Sequence, residues 1–229
     1  MLTELKVPTH LARNHPALRK QGPVRMGKLL IEKATGIAGL DTLADTRVLD
    51  IGCGTRFTTS IINTNIPIKS YTGVDVDKSV IDFLKTHVEV NDERFDYAHW
   101  DVENALYNKT GEAFNERSVF AIEPSRKFDL MWMFSVITHQ YPEGTSALLN
   151  ILKNYAAPNG RLLFTAFIDS TVDKFVDVIE DQPLMVASYQ REYLLELVDA
   201  AGWNVEKSVP RDTENHPPLH QDVLLCSLK

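Results

Sequence analysis

The stretch Arg47-Val48-Leu49-Asp50-Ile51-Gly52-Cys53-Gly54-Thr55-Arg56 decides the fold. Its apolar run, Val48 to Ile51, holds one carboxylate and is followed by two glycines spaced two residues apart. Such a run is typical of a buried parallel strand that ends in a tight turn. Because Gly52 and Gly54 lack a β-carbon, the backbone can adopt positive φ there and approach a ligand closely. Ligands of open α/β sheets bind beyond the carboxyl ends of the strands, so this turn is a predicted binding site.

Strand and helix patterns alternate through residue 168, which predicts a doubly wound, mostly parallel α/β sheet. The predicted strands cover 47–51, 70–76, 95–100, 128–134 and 161–167, with two terminal strands at 203–208 and 222–227. The predicted helices cover 24–33, 58–63, 147–155 and 191–201, with another that Asp77 caps. A turn is predicted at 157–160. Residues 103–127 form a long connection, which in a compact domain is usually functional or disordered.

Composition excludes several classes of protein. No apolar run approaches the roughly 20 residues that span a bilayer, and the first 16 residues hold no apolar signal core. The cysteines, Cys53 and Cys226, have no spacing typical of a metal site or a disulfide framework. A reducing, cytoplasmic compartment therefore fits best. The net charge of −7 argues against nucleic acid as an obligatory partner.

Charge is distributed unevenly along the chain. Residues 1–33 hold seven Lys or Arg and two acidic residues, a net charge of +5. We interpret residues 1–40 as a basic N-terminal arm and cap helix, and residues 41–229 as the α/β domain. The arm is expected to be solvated and partly mobile. The alternative is a lid over an anionic ligand group.

The glycine turn departs from the dinucleotide-binding pattern G-x-G-x-x-G, since Phe57 stands where the third glycine belongs. Val48 through Thr55 instead resembles motif I of the class I S-adenosylmethionine (SAM)-dependent methyltransferases, V-L-D-[IVL]-G-C-G-x-G. The resemblance ends at Arg56, where the family usually has glycine. Either Arg56 replaces that glycine or one residue is missing from the pattern. The motif alone would also fit an ordinary strand-turn-helix.

Further motifs follow in the family's order. They are Tyr71–Asp75 (second motif), Trp100–Val102 (third motif), 101–111 (a D-x-x-N-x-x-Y-N-x-x-G loop), Phe128–Leu130 with Phe134–His139 (motif IV, S-V-F-T-H-like), Pro158–Thr165 (L-K-P-G-G-R-L-L-F-T, with Asn159 for the first glycine) and Gln221–Val223 (last strand). Their joint occurrence identifies the chain as a member of this family. The resemblance implies a Rossmann-like sheet of seven strands in the order 3-2-1-4-5-7-6, with the last strand antiparallel.

The resemblance also implies the cofactor-binding residues. Asp75 ends strand two, where its carboxylate can accept both ribose hydroxyls, and Val76 would lie against the adenine. Asp101 would accept from the adenine amino group while the Val102 amide donates to the ring. The other candidates surround the glycine turn and the end of strand four: Asp50, Gly52, Cys53, Gly54, Arg56, Phe134 and Ser135. The alternatives are a turn residue for Asp75 and a cap for Asp101.

Methyl transfer to a hydroxyl requires an aligned nucleophile, exclusion of water and a base, because a hydroxyl pKa lies far above 7. His139, just past strand four, is the candidate base, since imidazole accepts a proton near neutral pH. A packing histidine is the alternative. Asp169 could orient His139 or contact substrate, or it could cap a helix beginning near Thr171. No Asp follows strand four where the metal-dependent O-methyltransferases need a ligand, so metal use is not expected.

The predicted function is therefore SAM-dependent methylation of a small-molecule acceptor, at a hydroxyl oxygen. A different class, a SAM-binding protein with a regulatory and non-catalytic role, stays open because of Arg56. A nicotinamide oxidoreductase is disfavoured by Phe57. Neither the acceptor nor the oligomeric state follows from the sequence.

Overall fold

The computed structural model describes residues 2–12, 22–104, 106–115, 117–212 and 220–229. These residues form five α-helices and nine strands around one sheet. The strands are β1 (Leu43–Ile51), β2 (Ile68–Asp75), β3 (Phe95–His99), β4 (Phe128–Met133), β5 (Ala156–Ile168), β6 (Phe175–Asp177), β7 (Ala187–Tyr189), β8 (Trp203–Val209) and β9 (Asp222–Leu228). The helices are α1 (Pro23–Ile37), α2 (Arg56–Asn63), α3 (Lys78–His87), α4 (Pro142–Lys153) and α5 (Arg191–Ala200).

The sheet runs β3-β2-β1-β4-β5 with all neighbours parallel. It continues through β9, which is antiparallel to β5, and ends at β8, which is antiparallel to β9. This is the predicted order for seven strands, and the prediction of a mostly parallel doubly wound sheet is confirmed. The predicted number of strands is wrong. Strand β5 pairs with β9 as far as Ala166, and its next two residues pair with β7, to which β6 is antiparallel. Strands of three residues are too short to produce a readable period of two.

Both faces of the sheet are covered, which explains why the central strands are continuously apolar. Val48 and Leu49 point to opposite faces, yet neither is exposed. One face packs against α1, α2 and α3, and the other against α4 and α5. Helices α1 and α2 approach closely at Gly27, where an added β-carbon would lie 2.0 Å from Ser60 Oγ.

Three local predictions are wrong. The turn at 157–160 belongs to β5, whose pairing with β4 shifts register between Phe128 and Leu130, and such an irregularity accommodates Pro158. Helix α4 begins earlier than predicted, at Pro142, a residue type suited to the first helical turn. No helix begins near Thr171, because the Asp169 carboxylate accepts hydrogen bonds from the Thr171 amide and hydroxyl in a local turn.

The N-terminal segment, residues 2–12, is anchored to the domain by two side chains, although most of its residues are exposed. Leu5 and Leu11 are buried in the apolar layer that holds α1, α2 and α3. Residues 13–21 of the predicted arm lie outside the described residues. The proposed boundary at residue 41 stays a prediction. The long connection at 103–127 is confirmed, since its described residues form isolated bridges and turns but no helix or strand.

Candidate cofactor and catalytic site

The turn between β1 and α2 is tied to the end of β2. Gly52 and Gly54 have φ of 70° and 48°, a left-handed conformation that favours glycine. The amides of Gly52 and Cys53 donate to the Val74 carbonyl at 2.8 and 3.1 Å, and the Gly54 amide donates to Asp75 Oδ2 at 2.8 Å. Apart from its two chain neighbours, no heavy atom of the described residues lies within 4 Å of where a Gly54 β-carbon would stand. The turn therefore leaves room for a ligand beside its backbone.

Arg56 is the first residue of α2, and its φ is not positive. Arg56 therefore occupies its position without backbone strain, because the positive φ angles of the turn fall at Gly52 and Gly54. Burial lowers the pKa of the guanidinium, while the nearby Asp50 carboxylate raises it. Arg56 consequently holds a positive charge in a partly desolvated position at the turn.

Asp50 lies beneath the turn, within the sheet, and is 1% exposed. The Tyr71 hydroxyl donates to its Oδ2 at 2.5 Å. Burial raises the pKa of Asp50 to about 7, although the Tyr71 hydrogen bond and the Arg56 charge oppose the shift. Asp50 is not among the residues that line the cavity described next. Asp50 therefore supports the glycine turn from beneath and does not contact the cavity.

A cavity of about 880 Å³ lies at the carboxyl edge of β1, β2, β4 and β5. Ten of the residues predicted to bind cofactor or to catalyse line it: Gly52, Cys53, Gly54, Arg56, Asp75, Val76, Val102, Phe134, Ser135 and His139. Three do not: Asp50, Asp101 and Asp169. The fold thus brings together residues from four separate motifs.

Asp75 lies where the glycine turn meets the end of β2 and is 2% exposed. Its Oδ2 accepts from Gly54, as above, and its Oδ1 accepts from the Asp77 amide at 2.9 Å. These two backbone donors fix the orientation of the carboxylate. The neighbouring wall is apolar and includes Val76, Trp100 and Val102.

Asp101 is exposed, and its Oδ1 accepts from the Asn108 side-chain amide at 2.9 Å. That bond closes the loop at 101–111, so the carboxylate has a structural partner outside the cavity wall. A contact between Asp101 and adenine stays a prediction. The Val102 side chain, in contrast, is buried and lines the cavity.

His139 ends a single 3-10 turn, Ile137–His139, that follows β4. Its Nδ1 lies 2.8 Å from the Leu184 carbonyl oxygen. Because a carbonyl only accepts, Nδ1 carries the proton, and Nε2 is the basic nitrogen of the neutral ring. Leu184, rather than Asp169, therefore orients this side of the ring. A substrate contact by Asp169 stays a prediction.

Other cavity residues were missed by sequence reasoning. Leu5, Val7 and Ala12 come from the N-terminal segment, and Met185 and Val186 come from the loop before β7. Gln221 belongs to the last-strand motif, but the sequence did not predict its polar contacts. Gln221 Nε2 donates to Ser135 Oγ at 2.9 Å, and Ser135 itself has a φ of 57° and donates its amide to Thr165 Oγ1 at 2.8 Å.

The cavity fits SAM chemically. Its wall offers an acidic acceptor for hydroxyls at Asp75, apolar surface for a base, and a cation at Arg56 near the open glycine backbone. Across the described ranges, no cluster of three His, Cys, Asp or Glu side chains is arranged to hold a metal ion. Nor does any described helix have the length and apolar character to cross a membrane.

The sheet order, the glycine turn and the acid that ends β2 define a class I SAM-dependent methyltransferase. A family model described as "Methyltransferase domain" matches residues 18–208, and the chain belongs to that methyltransferase family.

Solved structures share this fold at low sequence identity. The glycopeptide N-methyltransferase MtfA, complexed with sinefungin, is 10% identical with a TM-score of 0.60, over 89% of this chain and 94% of that one. A SAM-dependent methyltransferase from Leishmania major is 18% identical with a TM-score of 0.59, over 89% and 73%. The mitomycin 7-O-methyltransferase MmcR is 14% identical with a TM-score of 0.55, over 96% and 60%.

Proposed function

We propose that this enzyme transfers the methyl group of SAM to a hydroxyl oxygen of a small-molecule acceptor, with His139 as general base. One observation carries the proposal: His139 lines the same cavity as Gly54 and Asp75, and its Nδ1 donates to a backbone carbonyl. When bound, SAM supplies an electrophilic methyl group on a sulfonium sulfur. The chain's own residues must bind it, orient the acceptor and remove a proton.

Asp75 is the proposed acceptor for the ribose hydroxyls, and Val76 and Val102 form the proposed adenine contact. The two backbone amides that bond Asp75 support this role, because they fix the carboxylate beside the glycine turn. Arg56 is the proposed partner of the cofactor's own carboxylate. Its position in the cavity wall and the partial desolvation of its guanidinium support a strong interaction with an anion.

His139 would take the acceptor's proton at Nε2 as the oxygen attacks. The bond from Nδ1 to the Leu184 carbonyl favours this tautomer before the acceptor arrives, and it also stabilises the imidazolium that forms. Two aromatic residues of the same cavity wall, Phe134 and Phe167, would exclude water from the reacting atoms.

Replacement of Asp75 tests the cofactor site. Asp75→Ala removes the proposed ribose contacts, and a hydrogen bond to a charged group contributes about 1.5–3 kcal/mol, so SAM affinity should fall at least about tenfold. Isothermal calorimetry with SAM and S-adenosylhomocysteine measures the loss. Asp82→Ala on α3, whose carboxylate pairs with Lys78 at the surface, is the matched control. Unchanged affinity in Asp75→Ala, with unfolding temperature preserved, would refute the assignment.

Replacement of His139 tests the base. Full-length enzyme with methyl-labelled SAM is screened against a panel of hydroxyl and amine compounds, and the best acceptor is kept. His139→Ala should retain SAM affinity but transfer label about 10²–10⁴ times more slowly, which is the usual contribution of a positioned base. His87→Ala, an exposed histidine of α3, should keep its rate. Near-normal turnover by His139→Ala, or transfer to amines alone, would contradict the proposal, and no transfer to any compound would favour the regulatory alternative.

A further inference from the structure

The loop between β6 and β7, residues 178–186, holds His139 through the backbone of Leu184. The Leu184 carbonyl accepts from His139 Nδ1 at 2.8 Å, and the Leu184 amide donates to Asp177 Oδ2 at 2.8 Å. One residue of this loop is therefore bonded to the candidate base on one side and to a carboxylate of β6 on the other.

Two unfavourable features coincide at these residues. Leu184 has a φ of 59°, in the left-handed region that a branched side chain rarely adopts. Asp177 Oδ1 is buried and has no hydrogen-bond partner within the part of the chain that the structure describes. Buried polar atoms are normally satisfied, and backbone strain persists only where the surroundings impose it, commonly near functional sites. The positive φ of Leu184 and the Asp177 Oδ1 that is unpaired among the described residues are both explained if the Asp177 carboxylate holds the Leu184 backbone in its left-handed conformation.

Strands β6 and β7 form an antiparallel hairpin, which also contacts Gln140, the residue after His139. The Tyr189 hydroxyl, on β7, donates to the Gln140 carbonyl at 2.8 Å and lies 2.8 Å from Thr145 Oγ1. Tyr189 is fully buried, and Leu184 is 9% exposed within the apolar layer beside α4 and α5. The hairpin is thus anchored in the core. Its hydrogen bonds to His139 and Gln140 can therefore hold the 3-10 turn in one position.

We propose that Asp177 is a positioning residue for His139. By accepting from the Leu184 amide, it restrains the φ of Leu184 and so directs the Leu184 carbonyl at Nδ1. The Nδ1–H tautomer is thereby selected, and Nε2 is the nitrogen that accepts a proton in the cavity. This inference rests on the proposed role of His139 as base, but the selection of the tautomer is measurable without any acceptor.

The test reads the tautomer directly by nuclear magnetic resonance. Full-length protein labelled with ¹⁵N-histidine is saturated with S-adenosylhomocysteine at a pH where the ring is neutral, and the His139 signals are assigned from their loss in His139→Gln. The wild type should show the Nδ1–H form. Asp177→Leu, which preserves side-chain shape without an acceptor, and Asp177→Ala should both give a mixture of tautomers. Asp177→Asn keeps an acceptor oxygen and should restore the wild-type signals.

Asp181→Ala is the matched control, because Asp181 is an exposed acid of the same loop. Its spectrum should equal that of the wild type. With the acceptor found by the screen above, Asp177→Leu should transfer label about tenfold or more slowly, a part of what a positioned base contributes, with S-adenosylhomocysteine affinity unchanged. Thermal unfolding of each variant separates loss of positioning from loss of the fold.

A wild-type tautomer in Asp177→Leu or Asp177→Ala would overturn the inference, whatever His139 does in catalysis. If both variants lost the fold, a mixed tautomer in folded Asp177→Asn would also contradict it, and a wild-type tautomer there would support it. Failure of the proposed function looks different: His139→Ala would remain active while the tautomer still depended on residue 177.

Discussion

Asp50 illustrates at the residue scale how burial sets the chemistry of a side chain. It lies in a central parallel strand between Gly73 of β2 and Trp132 of β4, with almost no exposure. Removal from water is the largest cause of its raised pKa, and the Asp75 charge adds to it. The folded protein therefore retains a proton at about pH 7 on a group whose ordinary pKa is 3.8.

This shift predicts a pH dependence of stability. Between about pH 4 and 7 the unfolded chain releases the Asp50 proton while the folded chain keeps it, so the free energy of unfolding should fall as pH rises. Asp50→Asn cannot ionise and should lack this loss. Its stability relative to wild type should thus increase from pH 5 to pH 8 by about 2.6 kcal/mol, because about two pH units of that interval lie between the unfolded and folded pKa values. Urea denaturation at both pH values, with exposed Asp82→Asn as control, measures the difference, and parallel pH profiles would contradict the prediction.

At the scale of elements, the N-terminal segment forms part of the cavity wall because α2 holds it. Asn63, the last residue of α2, accepts from the Leu5 amide at 2.7 Å and donates to the Leu5 carbonyl at 3.0 Å. The Leu2 amide donates to Asp92 at 3.0 Å. These bonds, with the burial of Leu5 and Leu11, fix residues 2–12 over the glycine turn's side of the cavity.

Asn63→Ala should loosen this segment without unfolding the domain. Two hydrogen bonds that each contribute about 1 kcal/mol net would be lost, so amides in residues 2–12 should exchange with deuterium at least about tenfold faster. Hydrogen-exchange mass spectrometry of the N-terminal peptide measures this, and SAM affinity should fall because Leu5 and Val7 line the cavity. Asn91→Ala, outside the cavity wall, is the control. Unaltered protection in Asn63→Ala would show that burial alone holds the segment.

For the whole molecule, the cavity joins parts of the chain that are far apart in sequence. Its wall combines the ends of β1, β2 and β4 with three residues of the N-terminal segment, two of the loop at 178–186 and one near the last strand: Leu5, Val7, Ala12, Met185, Val186 and Gln221. A ligand that fills it therefore stabilises contacts among elements from both ends of the chain. Binding to the folded state alone should raise the stability of the entire domain.

SAM at a hundredfold excess over its Kd should stabilise the protein by about 2.7 kcal/mol and raise Tm by about 5–10 °C. S-adenosylhomocysteine should act similarly, and NAD should not, since Phe57 interrupts the dinucleotide pattern. Thermal-shift measurements compare the three ligands at equal concentration. A larger shift with NAD than with SAM would contradict the cofactor assignment.

The features that depend on local pattern could be predicted from the sequence. The apolar run of β1, the paired glycines and the acid that ends β2 were predicted because buried parallel strands and positive-φ turns restrict residue type over a few positions. The order of seven strands and the placement of ten predicted residues around one cavity followed from these motifs. Strands of three residues, and an N-terminal segment whose apolar residues have no regular period, carried no such signal.

The tertiary structure alone decided the partners of the polar groups. His139 forms a hydrogen bond with a carbonyl 45 residues away, and Asn63 forms one with a backbone amide 58 residues away. Asp101 and Asp169, in contrast, form hydrogen bonds within their own loops. Pattern in a sequence reports which residues are buried, but a hydrogen bond depends on the position and direction of two atoms. Packing of the β6–β7 hairpin and of residues 2–12 against the sheet sets those directions.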